Sequence, residues 1–382
     1  MLKSGTFHSS SQQNHMPAPL PRRQTGCSSY GAGGQQVFFV SLWEMKKTIL
    51  ILLALLAWST GGCARAQALP EGEWAVVNTS SVFMRGEASY TSENVSQSRM
   101  GTPVQVLDRT GYWVKIRTPE PYEGWVNELT LAPYPADYRS SARYICVREH
   151  SFVYAEPAFD AARLSDMKMS DIVRARKTAA GARGAAASAG SVSSEWAAVQ
   201  LWDGRSGWVP SADVADFAEW MDDAGALAAK ACQTGTAGSG LAAAEIEERL
   251  VGVARKFLGS PYMWGGMSAG LFDCSGLTGF CYFMAGIQLP RDASQQIKLG
   301  TPVDFEDMQA GDLVFFGEKR VGHVALCTGP GRIIHSSQIV RENSLIAGEP
   351  DYYGRNILEI RRMIGVLPSK NLIRNSTLYF EK

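Results

Sequence analysis

The chain has 382 residues, 45% of them hydrophobic and 19% charged, and its 37 Lys+Arg balance 37 Asp+Glu. That length accommodates two or three domains. Zero net charge and the lack of any basic run speak against nucleic acid or an anionic membrane surface as a partner.

In chain order, the first informative feature is an apolar run. Lys46 and Lys47 precede Thr48–Ala57, and Ala64-Arg65-Ala66 supplies a small-residue cleavage site. This is the pattern of a secretory signal, and the run is too short for a comfortable membrane span. Met45 reads as the natural start, which makes residues 1–66 leader and signal peptide. The competing pattern is a lipoprotein signal acylated at Cys63, although Thr60 stands where such signals usually carry Leu. The expectation is an exported, periplasmic protein, on a membrane only if lipidated at Cys63. Outside the leader lie Cys146, Cys232, Cys274, Cys281 and Cys327. An odd count leaves at least one free sulfur, and the spacings match no zinc pattern.

Residues 70–133 and 140–217 are two copies of one small β unit. Each has a Trp opening an apolar alternation, Trp113-Val-Lys-Ile116 and Trp196-Ala-Ala-Val199, and then Gly-Trp-Val at 124–126 and 207–209. Ser81-Val-Phe-Met84 corresponds in the same way to Ser151-Phe-Val-Tyr154. The offset grows between the upstream and downstream matches, so the second copy carries an insertion. The Ala/Gly/Ser-rich residues 178–194 are its place, because such composition buries no core. Short alternating strands with turn signals predict small barrels.

Residues 218–244 form an Ala-rich linker or short helical connection. A third part covers 245–368, ahead of a tail at 369–382. Ile246, Leu250, Val253, Ala254, Phe257 and Leu258 keep helical spacing until Gly259 and Pro261. A second helix starts at Asp273, with Leu277, Phe280, Cys281 and Met284 on one face. Pro290 and Asp292 open a third, short one. Strands follow at 312–316, 323–327 and 332–335. Helices followed by an antiparallel sheet predict an α+β domain.

The chemistry centres on Phe272-Asp273-Cys274-Ser275-Gly276-Leu277. Cys274 falls in a helix's first turn, where free N–H groups and the positive dipole end favour a thiolate. A depressed thiol pKa is therefore expected, with Asp273 as N-cap. A nucleophilic Cys needs a base, and the base needs an orienting group. Two of the three histidines beyond the leader, His323 and His335, fall on neighbouring strands of the same part. A hairpin centred near Pro330 sets His323 opposite Ser337, with His335 its diagonal neighbour on the same face. Tyr262, in Pro261-Tyr-Met-Trp-Gly-Gly266, is a candidate for lining the cleft or holding an oxyanion, as is the Cys274 N–H.

These pieces, together with Pro290-Arg-Asp292, Gly311-Asp-Leu-Val-Phe-Phe316, Gly322-His-Val324 and Ile334-His-Ser336, resemble the NlpC-type peptidase domain. This is a reduced papain-like fold of bacterial cell-wall hydrolases, and the match covers residues 246–367. The resemblance implies that Cys274 attacks, His323 is the base, His335 orients it, and no cofactor or metal takes part. The paired units resemble the bacterial SH3-like domains preceding this domain in the γ-D-glutamyl-L-diamino-acid endopeptidase (dipeptidyl-peptidase VI) branch. That likeness implies peptidoglycan-derived peptides such as L-Ala-γ-D-Glu-diamino acid as substrates, with a free L-Ala amine, in wall turnover or recycling. It also implies substrate binding by Tyr262, Asp273 and Ser275, with Glu87 and Tyr122 of the first barrel completing the grip. An acidic grip suits a buried ammonium, which needs a countercharge. The competing expectations are a wall-binding protein with an idle catalytic domain and a thiol amidase or acyltransferase acting on another cell-wall bond.

Overall fold

In a computed structural model of the protein, residues 74–176, 195–231, 239–364 and 373–374 are described. Residues 1–66 with the signal pattern and Cys63, Cys232, the whole of the 178–194 stretch read as an insertion, and most of the C-terminal tail lie outside them.

Seven strands build the first unit: β1 (Trp74–Val77), β2 (Val82–Arg85), β3 (Asn94–Ser98), β4 (Pro103–Thr110), β5 (Trp113–Arg117), β6 (Glu123–Asn127) and β7 (Leu131–Pro133). Seven more build the second: β8 (Arg143–Cys146), β9 (His150–Tyr154), β10 (Arg163–Lys168), β11 (Ile172–Ala175), β12 (Trp196–Gln200), β13 (Ser206–Pro210) and β14 (Val214–Asp216). Their spatial orders, β3-β2-β6-β5-β4-β1-β7 and β10-β9-β13-β12-β11-β8-β14, correspond strand for strand. The repeat seen in sequence is thus a repeat in topology.

The Gly-Trp-Val signature has a steric cause. A Cβ at Gly124 would sit 2.9 Å from the Met84 Cβ, and one at Gly207 would sit 2.6 Å from the Tyr154 carbonyl. Only glycine allows the crossing strand this close. The following Val126 and Val209 are fully buried. Strands β11 and β12, which flank the stretch read as an insertion, pair antiparallel.

Helix α1 (Phe217–Ala231) and helix α2 (Ser239–Arg255) follow. The stretch read as a linker or short connection is thus largely a 15-residue helix, anchored by Phe217, whose ring stacks 5.9 Å from Trp220. Helix α2 starts before the position its apolar spacing indicated. Next come β15 (Met267–Ser268), β16 (Leu271–Phe272), helix α3 (Cys274–Met284), β17 (Ile287–Gln288) and the short α4 (Ala293–Gln296). Strands β18 (Thr301–Pro302), β19 (Leu313–Gly317), β20 (Val321–Gly329), β21 (Arg332–Ser337), β22 (Ile339–Ser344) and β23 (Ile357–Arg362) form a six-stranded antiparallel sheet ordered β18-β23-β19-β20-β21-β22. Sheet outweighs helix over the described residues, so α+β describes the chain only in part, through its C-terminal portion. Strands β22 and β23 were not expected from sequence.

The run Leu313-Val-Phe-Phe316 is buried on both faces. Leu313 and Phe315 meet the α3 side, while Val314 and Phe316 meet a second cluster with Met308, Ile333 and Tyr353. Two covered faces explain why this strand is continuously apolar rather than alternating. Helix α3 is anchored by Phe280, whose ring lies 5.1 Å from Phe272 and 5.6 Å from Phe257. Burying one such side chain stabilises by about 1.5–3 kcal/mol.

The first barrel docks on the third part through β3. Gln97, fully buried, accepts through Oε1 from the N–H groups of Met267 and Ser268 at 2.9 and 3.1 Å. Asn94 Nδ2 donates to the Trp264 carbonyl at 3.0 Å, and the indole Nε1 of Trp264 donates to Glu93 at 2.6 Å. These contacts bring one barrel edge to the segment that precedes Cys274.

Candidate active site

Asp273 begins α3 with an extended backbone, and its carboxylate accepts from the Gly276 N–H at 2.7 Å. It is the N-cap expected from sequence, worth about 1 kcal/mol to the helix. A Cβ on Gly276 would lie 1.9 Å from the Gly266 carbonyl, so the 263–266 strip packs directly on the helix start. Cys274 therefore sits in the first turn, half-buried, and the N–H groups of Val324 and Ser275 point at its sulfur. Val324 is the residue after His323, so sulfur and histidine-bearing strand meet at this point.

The thiol is not depressed. Burial, with the Asp273 charge beside it, pushes Cys274 up to about 11, and the two N–H groups offset this only in part. Helix position alone argued for the opposite sign; desolvation of a charge outweighs a partial dipole here. Burial likewise pushes His323 down to about 3 and His335 down to about 4. At neutral pH the resting pair is thiol and imidazole, both uncharged.

The histidines form an ordered relay. Strand β20 pairs Leu326 with Ile334 and Cys327 with Ile333, the register the turn at Pro330 implied. His323 Nε2 lies 2.7 Å from His335 Nδ1, and His335 Nε2 lies 3.0 Å from Asn343 Oδ1. Asn343 Nδ2 donates to the Asp351 carbonyl at 2.6 Å. A carbonyl only accepts, so the amide nitrogen faces Asp351 and its oxygen faces His335. His335 must then donate from Nε2 and accept at Nδ1, and His323 must donate from Nε2. The lone pair of His323 Nδ1 is left free. Tyr353 closes the relay's flank, its ring 4.4 Å from that of His335 and 5.9 Å from that of His323. Sequence reading found both histidines but missed Asn343 and Tyr353. Continuing the alternation across the next turn would have put Asn343 diagonal to His335.

Two stretches of the chain match known domain families. Residues 259–362 match the NlpC/P60 family and residues 80–132 match a bacterial SH3 domain. The chain thus carries an NlpC/P60 domain behind a bacterial SH3 domain. It is 29% identical to a γ-D-glutamyl-L-lysine dipeptidyl-peptidase of Bacillus cereus, over 66% of this chain and 69% of that one. A Bacillus subtilis protein of the same name is 36% identical over 30% of this chain, and the match spans only 40% of that protein. The crystal structure of an NlpC/P60 family protein from Bacillus cereus superposes with a TM-score of 0.58 at 22% identity, covering 76% of this chain and all of that one.

Around the cysteine of this NlpC/P60 domain, burial raises Tyr262 to about 12, and the Cys274 and Asp273 charges add to the shift. The Tyr262 phenol is therefore a neutral donor within electrostatic reach of the sulfur. Asp273 does more than cap. Arg291, buried, reaches its two oxygens at 3.1 and 2.5 Å, and also donates to Ser275 Oγ and to Ser96 Oγ of the first barrel, at 3.1 and 3.0 Å. Ser275 Oγ in turn donates to Asp273 at 3.3 Å. Three donors occupy Asp273 Oδ1 and one occupies Oδ2, which leaves a lone-pair site on Oδ2. Arg291 stands within Pro290-Arg-Asp292, where no local pattern marks it as the partner of Asp273.

Tyr122 of the first barrel reaches this group. Its pKa is raised by burial first, then by Asp292, with Asp273 and Glu93 also contributing. The barrel thus brings a phenol into the field of three carboxylates. Glu87 stands apart: it lies on the exposed turn after β2, its backbone N–H bonded to Ser92 Oγ. Among the described residues, Glu93 is the acid of that loop that touches the catalytic part, through Trp264. No sequence pattern distinguished Glu93 from Glu87.

Proposed function

We propose that the protein is a cysteine peptidase that hydrolyses the γ-D-glutamyl-L-diamino acid bond of peptidoglycan stem peptides bearing a free N-terminal L-Ala. The observation that carries the reading is the relay from Asn343 through His335 to His323, on the strand whose next N–H points at the Cys274 sulfur. The acids and phenols around Tyr122 and Asp273 support recognition of an ammonium group, and the family and the names of its relatives support the substrate class.

In this mechanism Cys274 attacks the γ-glutamyl carbonyl while its proton passes to His323 Nδ1. The transfer accompanies the attack, because thiol and imidazole are both neutral at rest. His335 accepts the His323 Nε2–H and stabilises the imidazolium as it forms. The Cys274 N–H, unpaired within the helix, and the Tyr262 hydroxyl are donors for the developing oxyanion. His323 then protonates the departing amine, and water releases the acyl group from sulfur. Asp273 Oδ2, Ser275 and Tyr122 hold the L-Ala-D-Glu portion. A free-amine requirement restricts the enzyme to trimmed fragments, in keeping with wall turnover or recycling outside the cytoplasm. The signal pattern at 46–66 supports export to the periplasm.

The test is a panel of stem peptides with mass-spectrometric identification of products. The expected result is release of L-Ala-D-Glu by the parent protein and none by Cys274→Ala. Turnover by Cys274→Ala, or cleavage at another bond, would refute the reading.

A further inference from the structure

His323 delivers its proton to the departing amine, so the departing residue must lie beside the histidines. Two cations flank them there. Arg341 stands directly across from His335 in the β21–β22 register, so both side chains leave the same face. Its Nε is buried with no hydrogen-bond partner. The Arg355 guanidinium lies 5.8 Å from the centre of the Tyr353 ring, the ring that packs on both histidines. Among the described residues neither arginine has a carboxylate within ion-pair distance, whereas nearby Arg332, Arg361 and Arg362 are each paired.

Unneutralised cations in this place oppose catalysis. Both arginines act on both histidines in the direction that disfavours imidazolium, the form the mechanism needs midway. A substrate anion that neutralised them would remove that penalty and gain a charge-assisted contact at the same time.

We propose that Arg341 and Arg355 form a carboxylate subsite on the leaving-group side of His323, which selects peptides whose departing diamino acid carries a free carboxylate. The proposal rests on the peptidase reading above and extends it to the other half of the substrate. That carboxylate is either the side-chain group of diaminopimelate or the terminal α-carboxylate of a tripeptide. Both present the same planar acceptor to a guanidinium.

The experiment compares kcat/KM for four tripeptides: L-Ala-γ-D-Glu-meso-diaminopimelate, its side-chain amide, L-Ala-γ-D-Glu-L-Lys, and its C-terminal amide. At least one acid is expected to exceed its own amide about tenfold, the weak end for a contact to a charged group at a partly exposed site. The diaminopimelate pair reports the side-chain source and the Lys pair the α-carboxylate. In Arg341→Gln/Arg355→Gln the same ratio should fall towards one, and the double Lys variant should keep part of it. Thermal melting verifies that the variants fold. A purely electrostatic effect on the histidines would change acid and amide alike, so a ratio that survives the double Gln substitution overturns the proposal. So does a ratio near one in the parent protein. Failure to cleave any of the four peptides would instead overturn the peptidase reading, and the subsite with it.

Discussion

Asn343→Ala tests the relay most directly. The substitution removes the only acceptor shown for His335 Nε2, at 3.0 Å, in a ring that is fully buried. A buried donor left unsatisfied costs about 1–3 kcal/mol. His335 can escape by moving its proton to Nδ1, but that nitrogen then no longer accepts from His323 Nε2. His323 in turn can flip tautomer and present a proton, not a lone pair, towards Cys274. The penalty thus falls on the catalytically competent tautomer, and 1–3 kcal/mol corresponds to a fall in kcat of about 5- to 150-fold. The proposed substrate grip lies on α3 and the first barrel, so KM should move by less than about twofold. The lost bond to the Asp351 carbonyl adds about 1 kcal/mol of destabilisation, a fall in Tm of a few degrees. Steady-state kinetics on the stem tripeptide, with a melting curve, reads all three quantities. Unchanged kcat in a folded Asn343→Ala protein would refute the tautomer argument.

Four further outcomes are expected. Arg291→Leu strands the Asp273 carboxylate in a buried site and should cost about 3–5 kcal/mol in denaturant unfolding, and a cost below 1 kcal/mol would show the pair is not needed. Because Cys274 is raised to about 11, its alkylation by iodoacetamide should be slow at pH 7 and climb steadily towards pH 9; a rate already level below pH 7 would contradict a neutral resting thiol. His323 and His335 fold with pKa values lowered to about 3 and 4, while the unfolded chain protonates them near 6.5. Their contribution to stability is therefore complete above about pH 6.5 and lost as pH falls from there towards 3, so urea midpoints should drop across that window, less so in His323→Gln. A Cβ on Gly265, at φ +72°, would come 2.4 Å from the Asn94 carbonyl, so Gly265→Ala should loosen the first barrel from the catalytic part, read as faster limited proteolysis at that seam.

Much of the architecture and part of the site were legible without coordinates. The barrel repeat was visible because small β units need a glycine wherever strands cross closely and a Val behind it in the core. The Asp273–Cys274 helix start was visible because a cap residue and an apolar face are local signals. The hairpin register followed from the turn at Pro330, since a strand's side-chain period of two propagates a turn's position along both arms. What went unread was short or lacked local pattern: β22, β23, the full length of α1 and the distinction between Glu87 and Glu93.

Only the tertiary structure decided the rest, and the reason is the range of the forces involved. Hydrogen-bonded partners such as Arg291 with Ser96, or His335 with Asn343, join residues whose meeting depends on how whole elements dock. Desolvation is likewise a property of everything packed around a group. A helix terminus read from sequence therefore argued for a thiolate, while burial in the assembled molecule holds Cys274 as a thiol beside a neutral histidine.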